Sequence, residues 1–352
     1  AESFPMLRRF LFVCILATLG WAQSDQPAGG QSAPAPVAGG EQASPIRVQV
    51  DEVIVPVSVT DQDGAFVTGL TKEDFAVFDQ GVRQEIEYFN AERNQPVVIG
   101  FLIDQSNTMR LRWNRYQDAV IELVLALMPE DDRFSGYLIS YSNDAELLVN
   151  TTSDATALVE KIRDMKPAGG AALFDAIYLA CTRRELVKGE PIEPRRVIIL
   201  VGDGHDNASS KTFDEVLELA QRNLVTIYAV STVSFDFDSP EEATLVKLAR
   251  QTGGRVEYPL DGVYKDVAGF LSKPSDAGNY ALTVGTGGYA AHIAQNIFDA
   301  IAAMTGDIST QYILRYRPTV TDDPRIFRQL RVDVNLPGVK VRHRSGYYPY
   351  TP

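Results

Sequence analysis

Two nearly continuous apolar runs, Val97–Ile103 and Val197–Val201, each end at an acidic loop. Runs this short, without polar alternation, suit strands covered on both faces, as in a parallel sheet with helices on either side. Segments of helical period lie between and after them. Trp113, Tyr116, Val120, Leu123, Val124 and Leu127 form one, closed by Pro129; Leu158, Val159, Ile162 and Met165 form another. Leu173–Val187, Phe213–Ala220, Pro240–Arg250 and the series Ile293, Ile297, Ile301, Met304 complete the set. Further strands are expected at Phe134–Ser140, Glu146–Val149, Thr226–Val230 and Arg255–Tyr258. From about Val97 to Ser309 the alternation predicts an α/β, doubly wound, Rossmann-like core. Leu260–Gly288 has mixed polarity and no period, and suits a surface lid as well as a local elaboration.

In such a sheet, ligands bind where loops leave the carboxyl ends of the strands. The first loop reads Asp104-Gln105-Ser106-Asn107-Thr108 and the second Gly202-Asp203-Gly204-His205-Asp206. Asp104, Ser106 and Thr108 supply a carboxylate and two hydroxyls at alternate positions, which a tight turn aims into one crevice. With Asp203 they make four hard oxygen donors suited to Mg²⁺ or Mn²⁺, and water or a partner fills the remaining coordination positions. The plainer alternative is that Asp104 or Ser106 only caps the next helix.

These residues resemble a von Willebrand factor type A (VWFA) domain, whose metal-ion-dependent adhesion site is written D-x-S-x-S, then a Thr, then an Asp. Asp104, Ser106 and Thr108 match the first part, Thr108 keeping the hydroxyl, and Asp203 matches the last Asp. The run Gly169-Gly170-Ala171-Ala172-Leu173-Phe174-Asp175-Ala176 is similar to the family's G-G-T-A-L-x-D-A turn, with Ala171 at the Thr ligand position. Ala171 has no oxygen to give. Either a water takes the place of that ligand, or the domain binds its partners without metal.

The flanks read differently. Val53, Val55, Val57 and Val59 alternate after Ile46, Val48 and Val50, with a phase change near Asp51-Glu52 that suggests a bulge or two strands. Phe75, Val77 and Phe78 follow, and Arg83–Phe89 alternates again. At the far end Tyr312, Leu314 and Tyr316, then Leu330, Val332, Val334 and Leu336, then Val339 and Val341 do the same. Each group alone is marginal for an independent domain. Residues 46–94 and 310–352 are therefore expected to pair into one small β-sandwich into which residues 95–309 are inserted; two separate small sheets are the alternative. The Leu70-Thr71-Lys72-Glu73-Asp74-Phe75 stretch, Gln311–Tyr316 and Arg344-Ser345-Gly346-Tyr347-Tyr348 resemble a family of secreted bacterial VWFA-related proteins.

Arg8 and Arg9, the apolar run Phe10–Leu19 and Gly20-Trp21-Ala22 predict a signal peptide over residues 1–22. Its apolar run is about half the ~20 residues that a membrane span needs. Residues 23–45 follow as a linker; Ser24–Pro45 carries four Pro and four Gly with no aromatic residue, so it is expected to be disordered. Removal of Cys14 with the signal leaves Cys181 as one thiol on an apolar helical face, where packing is its role. Asn150-Thr151-Thr152 and Asn207-Ala208-Ser209 fit a glycosylation pattern, relevant only in a host that modifies it.

Charge narrows the partners. Thirty-three Lys and Arg stand against 46 Asp and Glu, a net charge of −13 with no basic block. Nucleic acid and anionic membranes are therefore poor partners. The VWFA resemblance implies a secreted, periplasmic or cell-surface binding module, with no stable membrane span once the signal is removed. Its partner would be a protein or surface polymer whose Asp or Glu carboxylate completes the shell of the ion. A metal-independent scaffold of the cell envelope is the alternative. A hydrolase is less favoured, because no G-x-S-x-G elbow or Gly-rich phosphate loop occurs and the chain is not expected to be an enzyme.

Overall fold

The computed structural model describes residues 52–91, 96–183, 186, 194–232, 240–259, 286–318, 323 and 325–349. The expected signal peptide, the linker, the strand start at 46–50, the phase change near residue 51 and most of the aperiodic 260–288 stretch lie outside these residues. The two long apolar runs are β5 (Val97–Asp104) and β8 (Arg195–Gly202), paired in parallel at the centre of a six-stranded sheet. β6 (Phe134–Tyr141) lies on the other side of β5, and β7 (Ala145–Thr152) adds an antiparallel edge. β9 (Thr226–Ser231) and β10 (Val256–Glu257) extend the sheet beyond β8 in parallel, giving the order β10-β9-β8-β5-β6-β7.

Alternate residues of β5 feed opposite cores, as a strand covered on both faces requires. Val97, Ile99, Phe101 and Ile103 pack with helix α1 (Trp113–Leu127), helix α2 (Ala155–Asp164) and Ile301, Met304 and Ile308 of the last helix, α6 (Thr286–Ser309). Val98 and Leu102 face the other way, toward α3 (Leu173–Thr182), α4 (Phe213–Arg222) and α5 (Pro240–Thr252). Cys181 is half-buried on α3 and packs against this second cluster. Among the described residues, no helix is long and apolar enough to cross a membrane.

The flanking strands pair across the length of the chain. β1 (Val53–Thr60) lies between β11 (Tyr312–Tyr316) and β13 (Lys340–His343), and β4 (Tyr88–Asn90) adds to β11. β2 (Phe75–Asp79) lies between β3 (Val82–Gln84) and β12 (Arg328–Val334), with β14 (Gly346–Tyr347) beyond β12. One apolar cluster serves both four-stranded sheets: Val53, Val55, Val57 and Val59 meet Phe75, Val77, Leu314, Tyr316, Leu330 and Val332. Buried among them, Asp79 accepts from Arg328 Nε, Tyr316 Oη and Tyr347 Oη, each at 2.9 Å. From Gln49 onward the chain forms one compact unit. Arg342 of β13 joins the sheets to the α/β core through Asp307, fully buried on α6, at 2.5 Å.

Three local expectations are corrected. Arg83–Phe89 is not one strand: it divides into β3 and β4, which belong to different sheets, and buried Ile86 marks the crossing between them. The helix expected over Leu173–Val187 stops at Thr182, whose hydroxyl donates back to Tyr178 O at 2.7 Å, while Arg183 turns extended. That back-bond competes with continuation of the helix. Leu186 is buried through a separate turn. The strand expected over Arg255–Tyr258 is only the two residues of β10.

Candidate functional site

The register of the parallel strands decides which loop residues meet. β5 and β8 run in step to Ile103 opposite Val201, so the next residues are Asp104 and Gly202, with Asp203 one step beyond. Neighbouring strands lie ~4.8 Å apart, so the two acidic loops leave the sheet side by side. On its other side Asp104 pairs with Tyr141 of β6. A side chain at position 202 has no room: a Cβ there would stand 3.1 Å from Asp104 Oδ2 and 2.5 Å from the Tyr141 hydroxyl. The Gly before Asp203 therefore leaves space for the Asp104 carboxylate. Tyr116 of α1 braces this end by donating to Val201 O at 2.9 Å.

Both acids close the same kind of local turn. Asp104 Oδ1 accepts from Ser106 N at 2.7 Å, and Asp203 Oδ1 accepts from His205 N at 2.9 Å. Such Asx turns are the ordinary use of Asp at the start of a loop. The second oxygen of Asp104 differs: Oδ2 is buried and has no hydrogen-bond partner. Burial is the largest cause that pushes this carboxyl up to about 6; the Asp203 charge adds to it, while the Ser106 hydrogen bonds and His205 act against it. Ser106, also buried, has its Oγ 2.7 Å from Thr108 Oγ1, so the two hydroxyls stand together on the first loop.

A third loop completes the end of the sheet. Gly169 adopts φ +70°, a left-handed conformation that favours Gly, and its carbonyl accepts from Asn107 N at 3.1 Å. Gly170 N donates to Asn143 Oδ1 at 2.7 Å, and Ala171 N donates to Asn207 Oδ1 at 2.8 Å. Ala171 O in turn accepts from Asn207 N at 3.0 Å and Ala208 N at 3.1 Å. Ala171 is thus locked between the first and second acidic loops, with its methyl group in the apolar cluster. The missing hydroxyl is replaced by carbon, not by another oxygen donor.

Other acids near the site have structural work. Asp206 accepts from Phe174 N at 2.9 Å and Ser209 Oγ at 2.6 Å, capping α3 from a distant loop. Asp175 accepts from Ser210 N, Ser210 Oγ and Lys211 N. Sequence reasoning missed the bracing roles of Asn143, Asn207, Asp175 and Asp206. The Asp in the G-G-A-A-L-F-D-A run was the one available signal, and it did not disclose a partner 35 residues away. Among the described residues, no cluster of three or more His, Cys, Asp or Glu side chains could hold a metal. An ion here would rest on Asp104, Asp203 and the Ser106 and Thr108 hydroxyls. That set suits a hard cation, and the unpartnered Asp104 Oδ2 is the atom that such an ion would satisfy.

The family model described as von Willebrand factor type A domain matches residues 99–261. Among solved structures, the chain is similar to the conserved hypothetical protein BatB from Bacteroides thetaiotaomicron, at 17% identity over 55% of this chain and 99% of that one, with a TM-score of 0.37. It is similar to the vWF domain of the type V pili tip protein Mfa5 from Porphyromonas gingivalis, at 14% identity over 55% and 96% of the two chains, with a TM-score of 0.37. It is also similar to proximal thread matrix protein 1 from the mussel byssus, whose structure has a zinc-occupied MIDAS motif. That match has 14% identity over 65% and 49% of the two chains and a TM-score of 0.42. No curated protein matches. The family match over the doubly wound sheet places a von Willebrand factor type A domain in residues 99–261.

Proposed function

We propose that the protein is an exported, non-catalytic binding module that captures an acidic group of a partner through a divalent ion. Asp104, Ser106, Thr108 and Asp203 hold Mg²⁺ or Mn²⁺, and an Asp or Glu carboxylate of another protein or a surface polymer completes its shell. The observation that carries this reading is the buried, unpartnered Asp104 Oδ2 beside the strand end that bears Asp203. Two carboxylates neutralise only the charge of the ion itself. With hydroxyls and water as its other ligands, the ion still has room for an incoming acid. The ion would supply electrostatic attraction and a fixed point of attachment; the protein residues orient it and exclude bulk water from one side.

Calorimetric titration of the full chain with Mg²⁺ and Mn²⁺ tests this. Binding heat in the wild type that disappears in Asp104→Ala and Asp203→Ala supports the reading, and an absence of heat for both ions in the wild type overturns it. A second reading, a metal-independent scaffold of the cell envelope, is favoured by Ala171, which offers a buried methyl where the family has an oxygen. It expects partner capture to survive both substitutions and chelation. Turnover of an ester, peptide or phosphate that is lost in Asp203→Ala would favour a hydrolase.

A further inference from the structure

The rim of the candidate site presents hydrogen-bond donors. Asn143 and Asn207 lie on either side of the Gly169–Ala171 turn, and each spends its amide oxygen on a backbone N–H of that turn. An amide whose oxygen is engaged on one side offers its NH₂ group on the other, and both residues are exposed. Arg110 adds a cation. It lies in the short 3-10 helix Asn107–Arg112 that follows Ser106, is itself exposed, and donates from Nη2 to Asn107 Oδ1 at 3.0 Å. Asn107 N is in turn bonded to Gly169 O at 3.1 Å, so Arg110 is tied to the same junction of loops that carries Ala171. Its partner is neutral, and among the described residues no carboxylate pairs with it. Among the described residues the guanidinium thus keeps its charge and most of its five donors uncommitted.

We propose that Arg110 reads a second acidic group, so that the partner segment is an acidic peptide with at least two neighbouring carboxylates. One carboxylate completes the shell of the ion and the next pairs with Arg110, while main-chain carbonyls of the segment accept from Asn143 and Asn207. This rests on the cation-dependent reading above. It adds that one acid is not enough: a segment with a single Asp leaves Arg110 unused, whereas a run of acids satisfies metal and guanidinium together. The pairing is solvent-facing, so the preference weakens as salt is raised.

The test compares two length-matched peptides, acetyl-Gly-Asp-Asp-Asp-Gly-amide and acetyl-Gly-Asn-Asp-Asn-Gly-amide, against the full chain saturated with Mn²⁺. In calorimetry, Arg110→Gln is expected to weaken the triacidic peptide by about three- to tenfold, the range of an exposed charge-assisted pair. The same variant leaves the single-acid peptide and Mn²⁺ affinity without peptide unchanged, and Arg110→Glu weakens the triacidic peptide further. Equal losses for both peptides, or no loss for the triacidic one, overturn the role of Arg110. Wild type that binds Mn²⁺ but neither peptide overturns it too, with the ion site left standing. Wild type that fails to bind Mn²⁺ removes the cation-dependent reading and this inference with it.

Discussion

Replacing Asp104 with Asn is expected to stabilise the metal-free protein at neutral pH, although it removes the central acid of the candidate site. The side chain is fully buried, and its pKa stands at about 6 against an ordinary 3.8. Between those values the folded chain binds more protons than the unfolded one, so stability from this group falls as pH rises and is lowest above about 6. At ~1.4 kcal/mol per unit, the shift corresponds to about 3 kcal/mol at pH 7.5. Asn keeps an oxygen for Ser106 N but loses the charge that strengthens that bond, which reduces the expected gain to about 1–3 kcal/mol. Urea unfolding of wild type and Asp104→Asn in EDTA at several pH values measures this. The variant should be the more stable at pH 7.5, and the gap should close toward pH 4. Saturating Mn²⁺ should reverse the order, since an ion at a thousand times its Kd adds about 4.1 kcal/mol to the form that binds it. A gap that does not vary with pH, or a variant less stable than wild type in EDTA at pH 7.5, refutes the argument that burial strains this carboxylate.

Ala171→Thr restores an oxygen donor and should tighten Mg²⁺ binding in calorimetry, at a cost of about 1–3 kcal/mol in urea unfolding for crowding a filled position. Gly202→Ala places a methyl 3.1 Å from Asp104 Oδ2 and 2.5 Å from the Tyr141 hydroxyl, so both stability and Mn²⁺ binding should fall; unchanged calorimetry would show that the acidic loops shift freely. Asp79→Ala leaves Arg328 buried without its acid and two Tyr hydroxyls without their acceptor, and should cost about 3–5 kcal/mol by denaturant unfolding. His343 accepts from Val332 N through Nε2, and burial holds its pKa below the ordinary value. Its neutral form therefore contributes stability that is full above about pH 6.5 and lost as pH falls. His343→Gln should flatten that acid-side loss in unfolding experiments.

The strands that position the site were legible because burial on both faces leaves a local mark. Val97–Ile103 and Val197–Val201 show no polar alternation, and an acid directly after each run reads as a strand-end loop. Asp104, Ser106, Thr108 and Asp203 followed from that placement and from the family pattern. What supports them was not legible, because its partners are remote. Asn143 meets Gly170 across 27 positions, Asn207 meets Ala171 across 36, and Asp79 meets Arg328 across 249. No periodicity registers an acceptor so far along the chain. Arg83–Phe89 misled for a related reason: alternation reports which face a residue occupies, not whether the chain changes sheets between two residues. The helix end at Thr182 depended on a side chain bonding back to its own backbone, which apolar spacing does not record.

The distribution of satisfied oxygens sets Asp104 apart from the other acids at this end of the sheet. Asp206 and Asp175 are engaged by backbone N–H groups and hydroxyls of neighbouring loops, so their charges serve the framework. Asp104 is more deeply buried than either, yet one of its oxygens is bonded to nothing. Folding alone gives no reason to retain such an atom, because a neutral side chain of the same shape would satisfy the Ser106 turn without the desolvation penalty. A bound cation removes that penalty. Ala171 then acquires a physical meaning: its methyl extends the apolar cluster while its backbone, held by Asn207, keeps the loop in place. On the cation-dependent reading proposed above, the framework stands without an oxygen donor at position 171, and affinity for an ion would rest on two carboxylates and two hydroxyls.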